Sequence, residues 1–577
     1  MIEKMTKYSF ILPGSCKEAF LEELQTLGVM DISHSDKPVD ERSGELFSAI
    51  EELRTLCADI EKGSDKTLEG LIGQRTECEK KLADVEVWGD YDREKLSAFG
   101  LHYYQVPQKK FDPAWEEEYP LQKVLSAKGY VWFVIVGDVS LFPVNELPAP
   151  SCTVEEAGKE LSLKKTEVDE YRRKLEGRKT ELPHLREKID SLSEELHRYL
   201  ASLSGESAAE GSLVVFEAFA PESGKAALKE KFDSMDCIWI EERAKAEDLP
   251  PIKLKNNWFA RQFEVLTGMY GMPVYDEFDP TPVLAPFFLL FFALCMGDAG
   301  YGLLLIAAGI LLRGRSGGLA KLWRLIICLG VGTTLVGLVM GGFFGVSLSK
   351  VSWYPDSLKS IILDGKVDIM GNTLDLQMVL SVCIGIFHIC LATGIKAVLF
   401  TKRFGFKSTI NTWGWALLII GGVLVGSLGL LGVCAPDVAK WAIIGIGAVS
   451  ALAIFIFNKP GRNPLINIGA GLWDTYGVAT GLLGDVLSYI RLYALGLAGG
   501  ILGSTFNSLG LMILGDHPTW QWLAFILLVI FGHALNLAMG CLGAFVHPLR
   551  LTFVEYFKNS GYEGAGRQYS PLSKTTN

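Results

Sequence analysis

Two arginines stand inside long apolar runs of this sequence, Arg491 in GLLGDVLSYIRLYALGLAGG and Arg550 in FVHPLRLTFVEYF. A guanidinium keeps its proton at any physiological pH, so each is a fixed positive charge and neither can relay a proton. Such a charge in hydrocarbon costs several kcal/mol, and intramembrane arginines accordingly face a protein interior or a water path. There a fixed charge can hold a carboxylate in its ionised form or bar a cation. At about 100° per residue, Gly477, Thr480, Gly484, Ser488, Arg491 and Ala498 share one helix face with Leu495 and Leu502. Its mostly small residues let another helix approach the arginine. Asp485 and Tyr489 lie towards another side within the same turns. Further on, His533, Asn536, Gly540, Gly543, His547 and Arg550 are spaced 3, 4, 3, 4 and 3, which makes one stripe roughly 25 Å long. Pro548 within it predicts a kink where freed backbone groups can be hydrated. Two plainer readings stand beside a charge pathway: the arginine pairs with Asp485 or Asp474 to lock two helices, or the stripe is interhelical hydrogen-bond glue. Two such features in adjacent long spans favour the pathway.

Elements that could hold these residues follow from the charge distribution. Residues 1–280 carry 55 acidic and 36 basic residues, a net −19, whereas residues 281–577 carry 11 and 19, a net +8. Apolar runs near the twenty residues needed to cross a ~30 Å hydrocarbon core recur only after Pro280. They predict eight spans, at 282–296, 299–312, 322–346, 374–400, 411–432, 438–457, 464–510 and 519–557. The first two meet at Gly297-Asp298 as a tight helical hairpin, and the last two are long enough to tilt, bend or project. The opening residues have acids and only a short apolar run, which predicts no signal peptide and a cytoplasmic front half. With the N-terminus inside, twelve basic residues fall in inner segments (Arg313, Arg315, Lys321, Arg324, Lys402, Arg403, Lys407, Lys459, Arg462, Lys558, Arg567, Lys574). Only Lys350, Lys359, Lys366 and Lys440 fall in outer ones. That asymmetry predicts both termini inside.

The front half reads as an α+β cytoplasmic domain of two small α/β lobes joined by an antiparallel coiled-coil hairpin, ahead of an all-α membrane domain of eight helices. The membrane-proximal lobe takes residues 1–38 and 205–270, where two strand–helix–strand patterns flank the hairpin. Arms at 39–86 and 153–204 carry near-heptad apolar spacing, as at Ile189, Leu192, Leu196, Leu200 and Leu203. Gly63, Gly70, Gly73 and Pro183 are expected to interrupt them. The distal lobe takes 88–150, with the β-rich run YVWFVIVGDVSLFP.

Other chemistry is not legible. Eleven cysteines are scattered singly without a C-x-x-C pair, which predicts reduced thiols and neither a disulfide framework nor a zinc site. ESGKAAL has no Ser or Thr after Lys225 and no phosphate-cradling glycine upstream, so it is not a nucleotide loop. No cofactor, metal, nucleotide or nucleic-acid site is expected, and the chain alone is not expected to be an enzyme.

The order of a split α/β lobe, a coiled-coil hairpin, then PFFLLFFALCMGDAGYGLLLIAAG, LSYIRLYALGLA and FVHPLRLTFVEYF resembles the membrane stator subunit of V/A-type rotary ATPases, subunit I in bacteria and archaea and subunit a in eukaryotes. The resemblance covers essentially the whole chain. It implies that Arg491 faces the ion-binding carboxylate of a rotating proteolipid ring, that Arg550 is a second arginine near it, and that two offset aqueous half-channels join only through ring rotation. It further implies partners: the proteolipid c/K ring, peripheral-stalk E and G subunits, a C/d-type central-stalk cap and the lipid bilayer, in a bacterial or archaeal cytoplasmic membrane. Departures occur at Gly499, where eukaryotic relatives have His, and at Gly540, where they have Glu. Candidate half-channel residues are Asp485, Ser488, His533, Asn536, His547 and Glu555. A secondary transporter or a membrane-anchored scaffold with a coiled-coil domain are the competing classes; the first usually shows internal repeats, and the second tolerates loss of Arg491.

Overall fold

The computed structural model describes residues 1–32, 40–89, 96, 99–127, 129–137, 142–150, 152–208, 212–235, 237–314, 322–351, 355, 359–360, 362–363, 365–369, 372–433, 435–458, 464–514 and 521–574. Of the basic residues used for orientation, Arg315, Lys321, Lys459 and Arg462 lie outside the described residues. Two compact units emerge, one from Met1–Pro13, Val29–Ser33 and Ala208–Pro571, the other from Gly14–Gly28, His34–Ser207 and Leu572–Asn577.

The second unit holds α1 (Lys17–Leu27), α2 (Glu41–Lys62), α3 (Lys66–Glu86), an antiparallel sheet and two further helices. In the sheet, β3 (Leu101–Pro107) and β4 (Leu121–Ala127) flank β5 (Tyr130–Val136). Alternate residues Tyr104, Val106, Val131, Phe133 and Ile135 point one way and form its core, the period-two pattern of a half-buried sheet. Helix α4 (Val154–Gly177) packs on α3, and α5 (Leu182–Leu203) on α2. Leu68 meets Val168 and Leu175 in the first pair. Of the four expected breaks only Gly63 ends a helix, closing α2 in the left-handed conformation with φ +65° before Asp65 caps α3. Gly70 and Gly73 lie within α3, where a glycine weakens a helix by about 1 kcal/mol without breaking it. Pro183 sits in the first turn of α5, where its missing N–H costs nothing.

The first unit opens with part of a five-stranded sheet, in which β1 (Met5–Pro13), β2 (Asp31–Ile32), β6 (Leu213–Pro221) and β7 (Ile238–Arg243) are ordered β2-β6-β1-β7. β1 runs antiparallel to β6 from Met5↔Pro221 to Pro13↔Leu213. Its inward residues Tyr8 and Phe10 pack on Phe232 of α6 (Lys225–Phe232) with edge-on rings.

Among the described residues eight helices of 14 residues or more follow: α7 (Thr281–Met296), α8 (Ala299–Leu312), α9 (Trp323–Met340), α10 (Leu376–Phe404), α11 (Ile410–Leu430), α12 (Pro436–Phe455), α13 (Pro464–Leu514) and α14 (Gln521–Arg550). Six of them, α9 to α14, are long and apolar enough to cross a membrane; α7 and α8 are shorter apolar helices. At 16 and 14 residues, α7 and α8 extend only about 24 and 21 Å. The third expected span ends earlier than its hydropathy suggests. Gly341 closes α9, and the short pair Gly342–Phe343 with Val346–Ser347 follows. A core of Phe288, Phe291, Ile389, Ala392, Tyr489, Leu492, Ala544, Leu551 and Tyr556 joins α7, α10, α13 and α14.

Pro548 does not stop α14. The helix runs to Arg550 and then opens into a π turn, Leu551–Tyr556. Proline supplies no N–H and its ring crowds the carbonyl of Ala544, and widening the next turn accommodates this.

Candidate functional site

Two polar groups occupy the interfaces of α13 and α14, and Arg491 lies between them along α13. The first is built on the α7–α8 turn. Gly297 ends α7 with φ +58°, and Asp298 caps α8. Asp298 is buried and accepts four backbone N–H groups, from Gly300 (2.8 Å), Tyr301 (3.2 Å), Phe344 (2.9 Å) and Gly345 (2.8 Å). Two of these hold a distant hairpin in which Phe344 has the unusual φ of +49°. For a side chain that size the left-handed region is strained, and the carboxylate offsets the strain with charge-assisted bonds. Gly345 lies so close to α13 that a Cβ there would sit 2.4 Å from the carbonyl carbon of Gly503.

From this turn a hydrogen-bond chain runs into α13 and α14. Asn536 Nδ2 donates to the Tyr301 hydroxyl (2.8 Å) and to the Gly499 carbonyl (2.9 Å). Tyr301 then bonds His533 Nδ1 (2.7 Å), His533 Nε2 bonds Asn507 Oδ1 (3.0 Å), and Asn507 Nδ2 donates to the Phe344 carbonyl (2.7 Å). The amide donors at both ends fix the direction. Tyr301 O–H donates to Nδ1, so His533 is the Nε2–H tautomer. Beside Asn536 lies a cavity of about 140 Å³ lined by Met296, Leu495, Gly499, Gly540 and Gly543, among others. His533 and Asn536, singled out as one stripe, are thus brought together, with Tyr301 and Asn507 as partners that the spacing did not disclose. Tyr301 and Asp298 lie in the quoted motif MGDAGYG, which is the only sequence signal for them.

The second group lies at the other end of α13. Asp485 is buried, accepts from Asn559 Nδ2 (2.8 Å) and faces Lys558 Nζ at 3.8 Å. Asp474 accepts from Asn458 (3.0 Å). A cavity of about 510 Å³ spreads between α10, α11 and α13, lined by Lys396, Asn411, Trp473, Asp474, Gly481 and Asp485, among others. Glu555, on the π turn, is 2% exposed, lies against Ser488 and leaves its Oε2 without a partner. Thr552 Oγ1 and Tyr556 O–H in the same turn are also buried and unpartnered. Tyr556 stacks on the His388 ring at 4.6 Å, and His388 Nδ1 pairs with the Tyr489 hydroxyl at 2.9 Å.

Arg491 belongs to neither group. Among the described residues it forms no ion pair, and its buried Nη1 has no acceptor. Asp485 and Asp474 are satisfied elsewhere, so the helix-lock reading of Arg491 fails. The guanidinium is close enough to act electrostatically on Cys295 and His547, and Arg550 also acts on His547. His547 therefore lies within the field of both arginines, while Arg550 itself is exposed. On the α13 face carrying Arg491, Gly477, Thr480, Gly484 and Ala498 are exposed. Among the described residues no cluster could hold a metal, and Cys16, Cys57, Cys78, Cys295, Cys328, Cys383, Cys390 and Cys541 are free thiols.

A mixed α/β portion followed by apolar helices with polar groups held between them defines a multi-pass membrane protein. Residues 164–321 match the V-type ATPase 116 kDa subunit family. A-type ATP synthase subunit I of Methanocaldococcus jannaschii is 31% identical over 375 residues, covering 61% of this chain and 53% of the relative. The Pyrococcus horikoshii protein of the same name is 34% identical over 346 residues, covering 58% and 49%. V-type ATP synthase subunit I 1 of Treponema pallidum is 31% identical over 344 residues, covering 56% and 52%. The chain spans about half the length of the curated relatives it matches. These matches bear out the resemblance: the chain is similar to subunit I of A-type and V-type ATP synthases.

Proposed function

We propose that this chain is the ion-translocating stator subunit of a V/A-type rotary ATPase, not catalytic alone but coupling ATP hydrolysis or synthesis to ion flow. The names of its relatives support a rotary-ATPase membrane subunit. In this reading residues 281–577 form the membrane domain with eight spans, α7 and α8 included, and both termini are cytoplasmic. Residues 1–280 form a strut with a coiled-coil hairpin between its lobes. The proteolipid ring meets the exposed small-residue face of α13, and the E, G and C/d-type stalk subunits meet the strut.

The observation that carries the reading is the placement of Arg491 between two cavities that share no lining residue. Gly499, on the smaller cavity, is eight residues beyond it and Asp485, on the larger, six residues before it. At 1.5 Å per residue these are about 12 and 9 Å along α13. Two half-channels need this: separate water-accessible pockets, with a fixed positive charge where they come nearest. An unpaired guanidinium favours the ionised form of a ring carboxylate brought beside it and repels a cation crossing directly between the pockets. Asn536, and His547 beside Arg491, belong to the path on the smaller cavity's side; Asp485, Ser488 and Glu555 to that on the larger cavity's side.

Accessibility tests this reading. In a cysteine-free background, Gly499→Cys and Gly481→Cys are expected to react with a membrane-impermeant maleimide from opposite faces of sealed vesicles. Labelling of both from one face would overturn the two-half-channel arrangement.

A further inference from the structure

The turn motif MGDAGYG is unused by this scheme, yet Tyr301 from it stands between two candidate path residues. An Asn side chain offers two N–H donors and one acceptor oxygen. Both Asn536 donors are occupied, one by Tyr301 and one by the Gly499 carbonyl, and both Nδ2 bonds lie within 2.9 Å. Nδ2 thereby has no hydrogen left to donate into the cavity, and Oδ1, 4.0 Å from where a Cβ on Gly499 would stand, is the group that Asn536 has left to offer there. The rest of that lining is apolar apart from Cys295: Met296, Leu495, Leu502, Met539, two alanines and three glycines. An oxygen with no hydrogen to donate suits a cation or its hydration water and does not suit an anion. If the amide rotated, it would present N–H groups instead.

Two acceptors oppose that rotation, the Gly499 carbonyl and, the one supplied by a side chain, the Tyr301 hydroxyl. Its own hydrogen is committed to His533 Nδ1, so its oxygen is left to accept from Asn536. His533 is held in turn by Asn507, and Asn507 by the hairpin that Asp298 pins. We propose that Tyr301 is a positioning residue for the path on this side of Arg491, fixing the Asn536 amide so that Oδ1 receives the arriving cation or its water. This rests on the half-channel reading above. It adds a residue and a chemical preference that the arginine alone does not imply.

The test uses the assembled complex in sealed vesicles and ion-gradient-driven ATP synthesis. Synthesis is titrated with protons, and in separate vesicles with Na⁺, on the side from which Gly499→Cys is labelled. Tyr301→Phe keeps the ring and deletes the hydroxyl. It is expected to raise the half-saturating ion concentration about threefold to tenfold, the loss expected for one hydrogen bond, while the rate at saturation stays within about twofold. Asn536→Ala, which removes Oδ1 outright, is expected to give at least the same shift and serves as the deciding variant if Tyr301→Phe fails to assemble. A variant that assembles with unchanged half-saturation, or that loses only maximal rate or thermal stability, makes Tyr301 a structural pin and overturns the proposal. Arg491→Ala in the same vesicles separates the outcomes: if it abolishes synthesis while Tyr301→Phe and Asn536→Ala leave half-saturation unmoved, the half-channel reading stands and only this inference falls.

Discussion

The turn around Asp298 and the stretch from Arg491 to the π turn are both buried, polar and embedded among apolar helices, but their hydrogen bonding differs sharply. Around Asp298 the polar groups have partners: four N–H groups converge on one carboxylate, and Tyr301, His533, Asn507 and Asn536 pass bonds in one direction. Around Arg491 the reverse holds. Arg491 Nη1, Glu555 Oε2, Thr552 Oγ1, Tyr556 O–H and His388 Nε2 are all buried without a partner. A buried polar atom left unpaired costs about 1–3 kcal/mol, so a sequence retains several only where something else supplies partners. The comparison separates polarity that holds helices together from polarity left without a partner among the described residues.

Mutations can break this contrast, and the largest effect is expected at Asp298. Replacing it with Ala orphans four N–H groups and releases the strained Phe344, which is expected to cost upwards of about 4 kcal/mol and to deplete the chain from membranes in quantitative immunoblots. Asp298→Asn can still accept and should retain part of the yield. Next, Gly503→Leu forces a side chain against the Gly345 backbone, where a Cβ alone would come within 3.0 Å of the Gly345 Cα. Overpacking of about 1–3 kcal/mol predicts a lowered melting temperature of the purified complex. His388→Phe tests the other region. It removes a nitrogen that has no partner but leaves the Tyr489 hydroxyl orphaned, so the net change should stay near 1–2 kcal/mol. A much larger loss of stability would mean that the His388 pair is structural after all. Smallest is Ser488→Ala, a half-buried hydroxyl that bonds back to Gly484 in its own helix; a stability change within about 0.5 kcal/mol is expected.

Legibility in the sequence followed the same division. Arg491, Asp485 and the stripe from His533 to Arg550 were visible because charge in an apolar run is costly and helical spacing places residues on one face. The long apolar helices and the strands and helices of the mixed N-terminal part were visible for similar reasons. Tyr301, Asn507 and His388 were not, because each finds its partner across at least 26 positions of chain, and a lone polar residue in an apolar helix does not reveal which helix it meets. Gly70 and Gly73 misled because glycine weakens a helix without ending it unless the backbone must turn left-handed, as at Gly63. Pro548 pointed to an irregularity, but the π turn that results places Glu555, Tyr556 and Thr552 inward, which no spacing rule anticipates.

The central claim is that Arg491 is an unpaired charge kept between two half-channels. The direct measurement is ATP-driven ion uptake into vesicles holding the complex with wild-type or Arg491→Ala chain, with attachment of ring and soluble head checked by gel electrophoresis. Removing an arginine that satisfies no carboxylate among the described residues should leave assembly intact and abolish uptake, and Arg491→Lys should restore only a small part. Uptake that continues unchanged in an intact Arg491→Ala complex would contradict the account and leave Arg491 a residue of packing alone.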